Sequence, residues 1–353
     1  MAPRRIPLLD ARAEPYPAAA TAAARSDDVR AILAIAERRH TAAGLRLGDA
    51  VSRRWLARNA SPLGAEIAAV ARQIGRPGAH LLNLSYEWAC TCGVEATAEP
   101  VMLRVLDWPM EGLGEALCVI RQAGPAGEWW HVGWPGLAGT ITAMAPGRFA
   151  VAINQPPLPL SRLGAAARAR GLGLMGLAAD WLGSRPGLWR SRALPPAHLL
   201  RIVCDTAPDF ATALAMLRDT PIAAPVAFTL AGTSPGEAAC IERSPDGHAQ
   251  RQAPRIAVAN HWDGLGLPGA ARWMESGARQ AMMADLVETG PPEGLGWLRP
   301  PILNRGTRLA AVMRPASGRL SVAGFAGERP VTALLHLAAG ANDPARQDDP
   351  LAA

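Results

Sequence analysis

The chain has 353 residues, 49% of them hydrophobic, with a formal net charge of +6. That length suggests one large domain or two ordinary ones, and the mean hydropathy of +0.06 with no run of 18 apolar residues excludes a membrane-spanning segment. All 36 basic residues are arginine, scattered without a long basic block. They read as a solvated surface, and no nucleic-acid partner is expected. The first residues, MAPRRIPLLDARAEPYPAAATAAARSDD, lack a continuous apolar core, so no signal peptide is expected and a cytoplasmic location is the default.

The cysteines are Cys90, Cys92, Cys118, Cys204 and Cys240. Such an odd, sparse set argues against a disulfide framework. A zinc site needs about four ligands from two pairs, and only Cys90 and Cys92 pair up. His131, His198, His248 and His261 have no ligand-like spacing. No metal and no cofactor are expected.

Along the chain, residues 1–25 read as disordered. Residues 26–89 read as helical: Asp27 to His40 has apolar Val29, Ile32, Leu33 and Ile35 close to a 3.6 period, a second helix fits 49–59, and a third begins at Ser61 as cap with Pro62 at its first position. After Cys90 the texture changes. CTCGVEA and VMLRVLDW predict a hairpin, and four more short segments between 115 and 155 predict antiparallel strands broken by Gly and Pro. Two helical stretches follow, 163–183 and 196–220, the second with a helix capped by Asp209. Strands return at 225–232, 237–247 and 255–262, then a helix at 271–288, then a hairpin over 307–324 that turns at Ser317-Gly318. Residues 340–353 read as a disordered tail. The order predicts an α+β fold of sheets packed together with helices outside.

Five stretches, NLSYEWACTCGV, RVLDWP, GWPGLAGTITAMAPGRFAVAINQ, AAPVAFTLAGTSPGEAACIER and VANHW, together resemble one family. It is the acid ceramidase and N-acylethanolamine acid amidase group, which belongs with the choloylglycine hydrolases (bile salt hydrolases and penicillin V acylases) among the N-terminal-nucleophile (Ntn) hydrolases. The resemblance covers about residues 76–324. It implies a four-layer αββα sandwich of antiparallel sheets over residues 90–339, preceded by a helical prosegment over 26–89 that self-processing cuts away. It also implies a small-molecule N-acyl amide as substrate.

In that family the new N-terminal cysteine attacks an amide carbonyl, with its freed α-amine as the base. A thiolate is a strong nucleophile, and the amine beside it can take its proton. An α-amino group titrates at about 7.7 to 8.0, near the working range of a general base. The resemblance makes Cys90 the nucleophile, cut from Ala89, and an ungapped alignment from Tyr86 makes it Cys92 instead. Asp107 is implied to hold the α-amine, and Arg104 to stabilise the thiolate. Asn154 and Asn260 are implied at the oxyanion. An arginine should follow Asn260: Arg272 is placed there first, with Arg279 as the alternative. Trp108, Gln155 and Trp134 are assigned to substrate binding.

Other readings stay beside these. Arg104 and Asp107 are three apart, so alternation puts them on opposite faces, and a bulge or strand end must bring both to the site. They also read as a surface ion pair, and Asn154 and Asn260 as strand-end turn formers. Trp129, Trp130 and Trp134 read as core packing first and as an acyl pocket second. Gln155 stands where the ceramidase branch has an acid. Three functions are therefore open: a self-processing amidohydrolase, an acyltransferase using the same acyl-enzyme, and an unprocessed relative that only binds an acyl or lipid ligand. The oligomeric state is unknown from sequence.

Overall fold

A computed structural model of the chain describes residues 3–59, 61–85, 88–270, 272, 275–290, 294–340 and 345–348. The chain opens with strand β1 (Leu8–Asp10) and helices α1 (Pro17–Ala24), α2 (Ser26–His40), α3 (Ala42–Asn59), α4 (Gly64–Ile74) and α5 (Ala79–Asn83). The hairpin β2 (Ala89–Glu95) and β3 (Val101–Asp107) follows, then the meander β4 (Cys118–Gly124), β5 (Gly127–Gly133), β6 (Thr142–Ala145) and β7 (Phe149–Asn154). The short β8 (Leu158–Pro159) leads into α6 (Arg162–Ala169), α7 (Gly173–Arg190), α8 (Pro196–Thr206) and α9 (Phe210–Asp219). Next come β9 (Val226–Ala231), β10 (Ala238–Ser244), β11 (Gly247–Gln252), β12 (Arg255–Val258), β13 (Gly269–Ala270) and α10 (Ser276–Thr289). The chain closes with β14 (Thr307–Arg314), β15 (Arg319–Ala326), β16 (Arg329–Pro330), β17 (Leu334–Ala338) and β18 (Ala345–Asp348).

Two large sheets result. One runs β1-β4-β5-β6-β7-β9-β10-β11, and the other β12-β2-β3-β14-β15-β17-β18, with β16 on β15. All their pairings are antiparallel except β1 with β4. Strand β2 lies across β7 and β9, so the sheets face each other. Helices α8 and α9 cover the first sheet and α10 covers the second. The fold is α+β, in helix, sheet, sheet, helix layers.

Alternation along β2 and β3 decides what goes where. Cys90, Cys92 and Val94 on β2, with Met102 and Leu106 on β3, face the core between the sheets. Leu103 and Val105 face the other way and pack under Met283 and Val287 of α10. Gly93 is needed on that side, because a Cβ there would lie 2.4 Å from Met283 Sδ and 2.8 Å from Val287 Cγ1.

The N-terminal stretch differs from the sequence expectation. Residues 3–25 are folded. Ile6 is 1% exposed, β1 adds to the first sheet alongside β4, and Ala18 and Ala22 of α1 share a core with Ile67 and Val70 of α4. Short alanine-rich helices carry little periodic signal, yet alanine lets backbones approach closely. In the tail, Ala345–Asp348 pairs with β17, and the rest of residues 341–353 lies outside the described residues. Ser61 does not cap the third predicted helix, which starts at Gly64. Its Oγ instead meets His198 Nδ1 at 2.7 Å in the core. Asp209 does cap α9, accepting from Thr212 N at 2.7 Å. Strands β11 and β17 arise in stretches where no element was expected.

Close backbone contact ties the Leu113–Leu117 turn to β15. A Cβ on Gly114 would lie 2.1 Å from Phe325 O, and one on Gly324 would lie 2.2 Å from Gly114 O. Neither neighbour can yield without moving the sheet. Gly114→Ala is therefore expected to cost about 1–3 kcal/mol or more in urea unfolding, and wild-type stability in that variant would contradict the packing.

Candidate active site

The site is built around the start of β2, from both of its faces. On the face between the sheets, Arg104 is fully buried and spends its donors on neighbours. Nη1 reaches Cys92 Sγ at 3.2 Å and Asn154 Oδ1 at 2.9 Å, Nη2 donates to Ile153 O at 2.9 Å, and Nε to Thr142 Oγ1 at 3.3 Å. Cys90 Sγ lies 3.3 Å from Ile153 O. The two thiols and Arg104 therefore share one dry pocket against β6 and β7. Burial pushes the Cys90 thiol up to about 12, with Arg104 pulling it back and Cys92 adding to the rise. At pH 7 the buried thiol is therefore neutral.

On the other side a second arginine does the work. Arg279, from α10, is fully buried and wraps the strand end. Its Nη1 donates to Cys90 O at 2.9 Å and Thr91 Oγ1 at 2.8 Å, its Nη2 donates to Asn260 Oδ1 at 2.9 Å, and Nη1 lies 3.7 Å from Asp107 Oδ2. Asp107 Oδ1 accepts from Thr307 Oγ1 at 2.9 Å. Burial raises the Asp107 carboxyl above the usual range, and the Arg279 charge opposes that rise. Burial likewise lowers Arg279, offset by Asp107.

Asn260 follows directly on the loop after β12. Its Oδ1 accepts from Cys90 N at 2.9 Å, its Nδ2 donates to Gln155 O at 2.7 Å, and its backbone N donates to Ser276 Oγ at 2.8 Å. The pairing of β12 with β2 ends at Val258 opposite Cys92. One step further, at Cys90, side chains of Asn260 and Arg279 take over from the neighbouring strand. Cys90 thus has its backbone N–H and C=O held by side chains, which no strand neighbour would allow.

The predicted residues fall into place unevenly. Cys90, Cys92, Arg104, Asp107, Asn154 and Asn260 join one network. Arg104 and Asp107 stay on opposite faces of β3, with no bulge in β3 to bring them together; the register shift lies in β14, between Thr307 and Leu309. Both belong to the site because β2 is gripped from both faces. Of the two arginine candidates, Arg279 is the one that holds Cys90, and Arg272 donates its Nε to Pro156 O at 2.7 Å. Asn154 donates its Nδ2 to Val258 O and Ala259 O, at 3.2 and 3.1 Å, so both its amide hydrogens are committed here to backbone. Sequence reasoning missed Thr91, Thr142, Thr307 and Ser276. Thr307 opens a predicted strand, whereas Ser276 lies inside the helix expected over 271–288 and opens α10 in the structure. Among the described residues no group of three or more His, Cys, Asp or Glu side chains could hold a metal ion.

Beside the cysteines, Trp88, Trp108 and Trp134 form a row, with ring centroids 5.1 and 5.5 Å apart. Trp108 and Trp134, with Met110 and Leu113, line an apolar cavity of about 60 Å³ whose other wall is Val29, Leu33, Val70 and Leu82 of the N-terminal helices. A water needs roughly 10–15 Å³ of such space, so the cavity has room for several apolar groups. Gln155 is buried at the strand end, and its carbonyl anchors Asn260. Trp129 is core, donating to Asp205 Oδ1 at 2.8 Å.

No protein-family model matches the chain, and no curated protein matches it. Among solved structures it is similar to the Caenorhabditis elegans N-acylethanolamine-hydrolyzing acid amidase (NAAA) ortholog. Identity there is 16%, the TM-score is 0.48, and the alignment covers 64% of this chain and 93% of that one. It is also similar to penicillin V acylase from Agrobacterium tumefaciens, at 14% identity and a TM-score of 0.36, covering 74% of this chain and 98% of that one. Residue roles rest on the geometry of this chain alone.

Arg279 and Asp107 form the buried pair at the base of the site. Arg279→Ala leaves a buried carboxylate unpaired and is expected to cost about 3–5 kcal/mol, with part recovered when Asp107→Asn is added. Urea unfolding of both variants, each carrying Cys90→Ala, checks this. A loss below about 1 kcal/mol, in the range of an exposed ion pair, would contradict the pairing.

Proposed function

We propose that the chain is the precursor of an N-terminal-nucleophile amidohydrolase that cuts itself before Cys90 and then cleaves the amide bond of an N-acyl substrate. The observation that carries this reading is the grip on the Cys90 backbone: Asn260 Oδ1 takes its N–H and Arg279 Nη1 its carbonyl. Hydrolysis of the Ala89–Cys90 bond would turn that N–H into an α-amine still held by Asn260. The amine, titrating at about 7.7 to 8.0 when unperturbed, would take the thiol proton. The thiolate would attack the substrate carbonyl carbon, forming a C–S bond. The tetrahedral oxyanion would collapse, the amine product would leave with the proton, and water would hydrolyse the thioester. Arg104 and Arg279 would put positive charge on both sides of the reacting sulfur, where developing negative charge is most effectively stabilised in a dry site. Asp107, paired with Arg279, would set the local charge at the amine.

The N-terminal region would remain attached after such a cut. Strand β1 belongs to the first sheet, Trp55 Nε1 donates to Leu188 O at 2.8 Å, and Asn59 Nδ2 donates to Ala193 O at 2.8 Å. The apolar cavity at Trp108 and Trp134 lies beside Cys90 on the side of the N-terminal helices. Trp108 and Trp134 would then line the acyl end, and Gln155 would act through its hold on Asn260.

One observation favours Cys92 as a second reading: the closest Arg104 nitrogen lies against its sulfur, at 3.2 Å. Cys92 is, however, paired on both sides within the sheet, opposite Val258 and Arg104. A cut there would have to break that ladder, and Cys90 is preferred.

The test is to incubate the purified protein with N-acyl amides and trap the acyl-enzyme by rapid acid quench. A mass increase equal to the acyl group should appear on the peptide that begins at Cys90. It should vanish in Cys90→Ala and persist in Cys92→Ala. The reverse pattern would transfer the role to Cys92, and no adduct and no turnover with any acyl amide would overturn the reading. Adding an amine acceptor separates hydrolysis from acyl transfer by product.

A further inference from the structure

Cys92 is the part of the CTCG stretch that the proposed reaction leaves idle. It stands two residues after Cys90 on β2, and alternation puts both side chains on the face between the sheets. Both are free thiols. Arg104 lies opposite Cys92 in the ladder, with Nη1 3.2 Å from its sulfur, and its charge acts on both thiols. A small apolar side chain would fill position 92 as well. A thiol there, next to a nucleophilic thiol, adds redox chemistry, because oxidation-sensing cysteines are paired with a resolving one.

Two residues along a strand place Cα atoms about 6.6 Å apart, at the upper end of the roughly 4.4–6.8 Å that a disulfide spans. In a continuous strand the two Cβ atoms stay too far apart to be bridged. A cut before Cys90 removes that limit. Nothing is then attached to its nitrogen, so the residue can turn about its Cα–C bond and swing Cβ towards Cys92. Its carbonyl stays on Arg279 Nη1, and only the hold of Asn260 Oδ1 on the nitrogen is given up. Resting on Cys90 as the processed nucleophile, we propose that Cys90 and Cys92 form a reversible oxidation site that closes a disulfide in response to hydroperoxides. The Cys90 thiolate attacks one peroxide oxygen and the O–O bond breaks. The departing hydroxide takes the proton held by the α-amine and leaves as water. Cys90 is now a sulfenic acid, oxidised by two electrons as the peroxide is reduced. The Cys92 sulfur, beside Arg104, attacks the sulfenic sulfur. The S–S bond forms, the S–O bond breaks, and the oxygen leaves as a second water with the Cys92 proton. The closed form has no free thiol to attack a substrate, and a dithiol restores both. Without Cys92 the sulfenic acid goes on to sulfinic and sulfonic acids, which thiols do not reduce.

Mass spectrometry of the purified full chain tests it, after the chain has cut itself and been treated with hydrogen peroxide, alkylated and digested with trypsin. The tryptic peptide that ends at Arg104 contains Cys90 and Cys92 and no other cysteine. After peroxide it should be lighter by two hydrogens and take up no alkyl group, and after dithiothreitol it should take up two. In Cys92→Ala the same peptide should gain two or three oxygens instead, with a yield of irreversible acids about tenfold above wild type. Amidase activity, each protein measured against its own untreated sample, should return with dithiothreitol in wild type and stay lost in the variant. The wild-type masses decide the matter even if the variant fails to fold. A cut chain whose Cys90 goes straight to the acids, or stays a thiol, overturns the proposal and leaves the proposed amidase standing. A disulfide from Cys92 to Cys240, the thiol on β10 that also interacts with it, overturns the proposal too. A chain that never cuts removes the processed nucleophile and this proposal together.

Discussion

A guanidinium with no exposed surface has to be answered by the groups around it, and Arg279 is answered by the start of β2. It takes the Cys90 carbonyl, the Thr91 hydroxyl, the Asn260 amide oxygen and the Asp107 carboxylate. Leaving any of these out would strand charge or a polar group in the core, at a cost that exceeds most surface interactions. The requirement fixes the end of a strand, the first turn of a helix layer and the loop after β12 relative to one another. Without it Cys90 would be an ordinary residue near the start of β2.

The sheet supplies the rest of the arrangement by alternation. Arg104 emerges on one face of β3 and Asp107 on the other, and β2 lies beside them with its thiols inward and Thr91 outward. Two positive side chains thereby flank a single strand from opposite layers of the sandwich. This does not ionise Cys90, because burial dominates and holds the thiol near 12. Reactivity would need water or substrate to reach the pocket and a base beside the sulfur. A cut at Ala89–Cys90 would supply the base and free the chain next to the sulfur.

Much of this was legible in the sequence. Gly and Pro punctuation marks nearly every strand from Cys90 to Asn154, and the strand around Arg104 and Asp107 shows its alternation directly. That alternation already placed the two residues on opposite faces. Of the two expected ways to bring both to the site, a bulge or a strand end, β3 shows no bulge and ends at Asp107, where Arg279 from α10 meets the carboxylate. The sequence puts Arg272 ahead of Arg279, because the packing of α10 on β2, where Gly93 makes room for Met283 and Val287, leaves no mark in the order of residues. The first 25 residues were illegible for a different reason. A three-residue strand and an eight-residue alanine helix carry too little pattern to stand out, and both are ordered by tertiary contacts with β4 and α4. Ser61 has the right residue type for a cap, but burial beside His198 gives its hydroxyl another partner.

If the grip on Cys90 prepares the Ala89–Cys90 bond for scission, the chain should be found cut there. The most direct measurement is the intact mass of the purified full chain, taken before and after mild acid incubation, with Cys90→Ala alongside. The account predicts two polypeptides, residues 1–89 and 90–353, that co-elute under native conditions, and a single uncut chain in the variant. A wild-type chain that stays whole, or a fragment that begins at Cys92, would contradict it.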